Sequence, residues 1–282
     1  MTATKPLADI ACIVRVGDDT PEAALRQAIL LASRHGAHLT ATIAAHQLAS
    51  PYSPFWMSLT SSLVADMNKK TKARADEVAD KARTAARIGG VNADVDVVFD
   101  MVGQTAEYAV RAARAADVIV VDQPDAVMDT KATVLEEALF RSGRPVLVAT
   151  PRREPIETVR KLMIAWDGTA HAARAAADAL AIFADIDDVE IVSVSGEKSL
   201  DRSLPGSDYA RHLSRKGKKA TLVELTIGDL GVAAVLDRHA SASGADLIAM
   251  GGYGHSRLRE FVLGGVTREL IQSSATPLLM AY

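Results

Sequence analysis

The run KLMIAWDGTAHAARAAADALAI, residues 161–182, decides how the rest of the chain is read. KLMIAW (161–166) is an apolar run without strict alternation, the mark of a strand buried on both faces. The acidic turn DGT (167–169) comes next, then an alanine-rich helical stretch expected over 170–184. Thr169 stands where a hydroxyl would cap that helix. The same order of signals occurs near the N-terminus: IACIVRV (10–16), the turn GDDT (17–20) with Thr20 at the capping place, and a helix over 21–35.

The agreement continues at the far end of each half. AADVIVVD (115–122) matches GADLIAMG (244–251), and GRPVLVAT (143–150) matches ATPLLMAY (275–282). The offset of roughly 130–150 residues is too long for a solenoid repeat and suits a duplicated domain. Hydrophobic periodicity lapses in TPRREPIET (150–158), which reads as the linker. Two domains are therefore expected, residues 1–150 and residues 158–282. Strands fall near 9–16, 38–45, 94–99, 117–121 and 145–149, then near 160–166, 189–195, 220–226, 245–250 and 277–281. Apolar runs alternating with helical segments predict right-handed crossovers and a parallel sheet. The fold class is α/β: two tandem, doubly wound, five-stranded parallel-sheet domains.

Composition narrows the function. The 282 residues are 49% hydrophobic and 24% charged, as in a globular protein with a real core, and only 4% are aromatic. A net charge of −3 without a basic stripe argues against nucleic acid. The cluster Arg211, Arg215, Lys216, Lys218 and Lys219 reads as a solvated helix end and turn. The single cysteine, Cys12, lies in an apolar run and reads as inert packing. Neither a long apolar span nor a signal-peptide pattern is present, so a cytoplasmic protein without a membrane segment is expected. No HExxH or CxxC spacing, and no G-x-S-x-G elbow, is found, so neither a metal site nor a catalytic residue is assigned. The halves differ most after the second strand. There ASPYSPFWMSLTSS (49–62) gathers Tyr52, Phe55 and Trp56 ahead of a long polar helix reaching about residue 88. This segment is either a loop folded on its own helix or a contact surface for a partner or second subunit.

MGGYGHSRLREFVLGGVTREL, residues 250–270, lies just past the fourth strand of the second half. In a doubly wound sheet, ligands bind beyond the carboxyl ends of the strands. Glycines there let backbone N–H groups approach an anion, and the next helix adds its positive dipole end. The stretch is not a Walker A motif, and Arg257 stands where a dinucleotide fingerprint needs its third glycine. Spacing alone leaves a phosphate loop and a structural loop both open. His255, Arg257 and Arg259 would either neutralise phosphates or pair with Glu260 or Glu269.

Gly251-x-x-Gly254, nine residues and then Gly264 resembles the nucleotide-binding signature of the universal stress protein family. ADLIAMG, AWDGT, GGVTREL and ATPLLM look like that family too, and the similarity extends over both halves. The resemblance implies a universal stress protein-like, nucleotide-binding fold and a stress-response module holding an adenine nucleotide, most often ATP, in the second domain. It places Asp167 at the adenine or ribose, the backbone around Val192 along the base, and Met250 beside it. Gly251 and Gly254 would meet the ribose and first phosphates, and Gly264, Gly265, Val266 and Thr267 the phosphates. Gly265 is a departure, because nucleotide-binding members usually carry Ser or Thr there; Thr267 would offer its hydroxyl instead.

Aligned strand ends put Asp122 and Asp125 opposite Gly251 and Gly254, and Ala132 and Thr133 opposite Gly264 and Gly265. Two carboxylates would repel a polyphosphate, so one nucleotide per chain is expected, with Asp18, opposite Asp167, keeping only a turn role. The family resemblance also implies halves packed face to face, an unidentified protein partner and a possible homodimer. Two other readings stand beside this one: an interaction or chaperone-like module working without nucleotide through its aromatic segment, and a slow, incidental ATPase.

Overall fold

In a computed structural model, the described residues are 7–17, 23–49, 54–124, 130–195, 205–227, 231–252 and 265–282. The elements of the first half are β1 (Asp9–Arg15), α1 (Ala23–His35), β2 (His38–His46), α2 (Pro54–Ile88), β3 (Ala93–Asp100), α3 (Val102–Ala113), β4 (Val118–Asp122), α4 (Thr130–Arg141) and β5 (Val146–Ala149). Those of the second are β6 (Lys161–Ala165), α5 (Ala170–Ile182), β7 (Asp188–Ser195), α6 (Gly206–Arg215), β8 (Lys219–Thr226), α7 (Val232–Ser243), β9 (Leu247–Gly251), α8 (Gly265–Ser273) and β10 (Leu278–Ala281).

All ten strands join one sheet in the order β3-β2-β1-β4-β5-β10-β9-β6-β7-β8. The order in the first half, 3-2-1-4-5, is mirrored in the second. Strands within a half pair in parallel, and the halves meet through the antiparallel pair β5–β10, with Leu279 opposite Leu147. The expected face-to-face packing is therefore corrected: the halves join edge to edge. The physical reason lies in the cover. One core cluster packs α1, α2, α5 and α6 on one face of the sheet; another packs α3, α4, α7 and α8 on the other. No bare face is left to stack, whereas β5 and β10 each bring an open edge whose backbone groups need partners.

Small side chains set the spacing of these layers. Ala172, Ala175, Ala176 and Ala179 of α5 are fully buried, as are Ala24 and Ala28 of α1. Thr169 caps α5, its hydroxyl accepting the Ala172 N–H at 3.3 Å. Thr20 lies outside the described residues. The halves repeat fine details as well. Asp117 Oδ2 accepts the N–H groups of Ala8 and Asp9 at the entry to β1; Asp246 Oδ2 accepts those of Arg160 and Lys161 at the entry to β6. Ser142 and Ser274 each close the turn after α4 and α8 by accepting the N–H two residues on.

The linker is held down. Gln27 of α1 exchanges two bonds with the Ile156 backbone, and Arg34 reaches both the Glu157 carbonyl and Asp185. Cys12 is wholly buried; burial first, and then the nearby Asp122 carboxylate, push its thiol well up. In the aromatic segment, Tyr52 lies outside the described residues; Phe55 and Trp56 fall in the first turn of α2, and nothing is described of their side chains. Among the described residues, no helix is long and apolar enough to cross a membrane.

Candidate functional site

The carboxyl ends of β6, β7 and β9 converge in the second half. Asp167 sits just past β6 and is half-buried. Its Oδ1 accepts the Thr169 N–H at 3.0 Å and the Thr169 hydroxyl at 2.7 Å, which ties the carboxylate to the cap of α5. Val192 lies in the middle of β7, paired with Ala165 and Val223, and is buried. Its carbonyl accepts the Trp166 N–H at 2.8 Å, so that oxygen belongs to the sheet. Met250, 5% exposed, pairs with Ala165 on one side and Met280 on the other.

Gly251 closes β9 against the first turn of α5. A Cβ there would lie 2.8 Å from His171 Cβ and 2.9 Å from the Ala172 nitrogen, so only glycine lets the two backbones meet. A Cβ on Gly252 would run into the side chain of Leu139 of α4, in the other half. Among the described residues, nothing lies within 4 Å of where a Cβ on Gly265 of α8 would be. Val266 is half-buried, and Thr267 is buried on the inward face of α8 with Leu270 and Ile271. Gly254, Gly264, His255, Arg257 and Arg259 lie outside the described residues. The structure thus brings Asp167, Val192, Met250 and Gly251 to one sheet edge.

At the same edge of the first half, Asp122 is the last residue of β4 and is 5% exposed. Its Oδ1 accepts the Ala24 N–H in the first turn of α1 at 2.9 Å. Sequence reasoning expected this carboxylate to face and repel a polyphosphate; its Oδ1 is turned instead onto its own helix. Where β6 ends in Ala165, β1 ends in Arg15, whose guanidinium folds back on the Val16 carbonyl at 3.2 Å. Ala132 and Thr133 lie within α4, which begins at Thr130. Asp18 and Asp125 lie outside the described residues.

Several residues around the site escaped sequence reasoning. Trp166 stacks on Tyr209 with ring centroids 4.5 Å apart, beside the start of α6. His171 stacks on Tyr282 at 4.7 Å, and Phe140 meets Tyr282 edge-on at 4.9 Å, closing one end of the seam between the halves. At the other end, Gln123 and Arg152 reach across to the last carbonyls of α8. Trp166 and Tyr209 are 43 positions apart, and no periodic signal connects them. Among the described residues, no group of His, Cys, Asp and Glu could hold a metal ion.

Residues 158–281 match the model of the Universal stress protein family. Over 145 residues the chain is 27% identical to a universal stress protein of Synechocystis, and the match takes in 51% of this chain but only 49% of that relative. A crystal structure of a universal stress protein from Archaeoglobus fulgidus superposes with a TM-score of 0.65, covering 96% of this chain and 95% of that one at 16% identity. A functionally unknown protein from Pseudomonas aeruginosa superposes at 0.55, covering 96% and 92% at 15% identity. At such identities the likeness is one of fold, and it runs through both halves.

Proposed function

We propose that this chain binds one adenine nucleotide, ATP, at the carboxyl edge of β6, β7 and β9, and that occupancy is read by a protein partner rather than used for catalysis. The observation that carries the reading is the contrast at one topological position. Gly251 leaves the edge free of a side chain, while Asp122 fills the equivalent place in the first half with a carboxylate bonded to α1. Among the described residues, nothing lies within 4 Å of where a Cβ would stand on Gly265, and the first turn of a helix favours an anion through its N–H groups and dipole. The residues present therefore fit a nucleotide.

In this reading Asp167, its Oδ1 fixed by Thr169, offers its other oxygen to a ribose hydroxyl. Met250 and the end of β7 near Val192 flank the base. Gly251 and Gly254 admit the ribose and first phosphates; Gly264, Gly265, Val266 and Thr267 receive the remainder. Thr267 faces inward, so the N–H groups rather than its hydroxyl bear the phosphate. The first half, residues 1–150, takes no nucleotide.

Calorimetric titration with ATP, paired with a thermal shift at millimolar ATP, tests the proposal. One site per chain and a raised midpoint are expected. The absence of both heat and shift removes it.

A further inference from the structure

The helix that opens the candidate phosphate site is held at its other end by the opposite half. Gln123, 4% exposed, comes directly after β4. Its amide nitrogen donates to the Ile271 carbonyl at 2.7 Å and to the Ser274 carbonyl at 2.9 Å. Arg152, in the linker, donates to the carbonyls of Gln272, Ser273 and Ser274 at 3.0–3.3 Å, and to Gln123 Oε1 at 3.4 Å. An amide and a guanidinium thus cover the last turn of α8, where a helix leaves carbonyls without partners. A cation there also complements the negative end of the dipole.

The related end of α4 is treated differently. Among the described residues, its Arg141 carbonyl accepts Arg114 Nε from its own half, and Leu139 meets Gly252 across the seam. Among the described residues, the Gly143 carbonyl, beyond the helix, accepts a bond from the second half, from Arg174. Among those residues the amide and guanidinium clamp is found on α8, the helix that follows β9.

Isolated helices of a few turns are marginal by themselves, so the order of α8 depends on what holds its last turn. We infer that Gln123 and Arg152 are positioning residues for the nucleotide site: by fixing the C-terminal turn of α8 they orient the N–H groups at Gly265–Thr267. The inference rests on the nucleotide reading above and gives the first half a task there. Coupling runs both ways. A phosphate at the first turn of α8 steadies the carbonyls that Arg152 holds, so occupancy is felt at the linker surface.

The test uses the full chain with Arg152→Ala, Gln123→Met and Arg152→Lys, each shown to be folded by circular dichroism. Two readouts are taken well below each midpoint: ATP affinity by calorimetry, and amide exchange of α8 by mass spectrometry. Arg152 is exposed, so Arg152→Ala keeps the test available if Gln123→Met fails to fold. About tenfold weaker ATP binding is expected for Arg152→Ala, with faster exchange in α8 and partial recovery in Arg152→Lys. Saturating ATP should slow α8 exchange in the unmodified chain. Folded variants that bind ATP within twofold of the unmodified chain, whatever their exchange rates, overturn the inference alone. An unmodified chain that binds no ATP overturns the nucleotide reading, and the inference with it.

Discussion

The carboxyl edges of β4 and β9 are the same place built twice, and they have opposite characters. At the end of β9 a glycine brings strand and helix backbones into contact; at the end of β4 the Asp122 side chain stands between them and bonds the helix N–H. In register, Ile13 of β1 and Ala165 of β6 are the equivalent positions, and β1 runs two residues further, to Arg15. The first copy serves the start of α1 with a carboxylate from β4; the second caps α5 with Thr169 and leaves the end of β9 without a side chain. Chain topology alone does not make a binding edge; the residues at and just past the strand end decide whether the edge is closed or open.

The strongest way to break this contrast is to give β9 a side chain. Gly251→Ala forces a Cβ against the backbone of α5, and overpacking of this kind costs about 1–3 kcal/mol. A clear fall in the thermal midpoint is expected, and an unchanged midpoint would refute the close approach. The converse change, Asp122→Ala, orphans the Ala24 N–H and should cost about 1 kcal/mol, as loss of a helix cap does. Denaturant titration checks this, and no loss would mean that the carboxylate does not close the first edge.

Gly265→Ser sharpens the contrast from the other side. Among the described residues, nothing crowds position 265, and a hydroxyl donor to a bound phosphate should tighten ATP binding about fivefold, or about 1 kcal/mol. Calorimetry showing equal or weaker binding would count against phosphates at the first turn of α8.

The smallest expected effect lies at the amino end of the strands. There Glu190 pairs with Lys161 at 2.7 Å and with His239 at 2.9 Å, whereas the corresponding strand positions of the first half are Thr40 and Asp9. Burial pushes the Glu190 carboxyl up, but the hydrogen bonds and charges of Lys161 and His239 together outweigh it and hold the group below its usual value. A carboxyl depressed in the folded state stabilises above the unfolded value, about 4.3, and that contribution is lost as pH falls through the folded value. Glu190→Gln should lower stability by about 0.5–1 kcal/mol at neutral pH and by less in acid. Midpoints measured from pH 7 to pH 3 that keep the same difference throughout would contradict it.

Much of the fold was legible because its signals are local. A strand buried on both faces announces itself as an unbroken apolar run, and all ten expected strands coincide with β1–β10 to within a few residues. The alanines of α1 and α5 and the Thr169 cap are equally local. The way the halves meet was not, because β5–β10 pairing depends on which edges remain after every other strand has found its neighbours. The same limit hid Gln123, whose amide serves carbonyls as far as 151 positions away. Asp122 was noticed for its charge, but spacing does not reveal which N–H a carboxylate meets. Of the candidate site, Asp167, Met250 and Gly251 were expected from the family resemblance; the packing of Gly251 onto Ala172 needed coordinates.

The seam between β5 and β10 has one end sealed by aromatic rings around Tyr282 and another by amide and guanidinium groups around Gln123. Two identical subunits related by a two-fold axis would have to use the same chemistry at both ends. Joining the halves in a single polypeptide lifts that restriction and also gives the join a direction. A second half released from its partner and paired with itself would repeat the tyrosine end twice and find no glutamine to receive α8, so covalent connection preserves an unlike pairing that self-association could not rebuild.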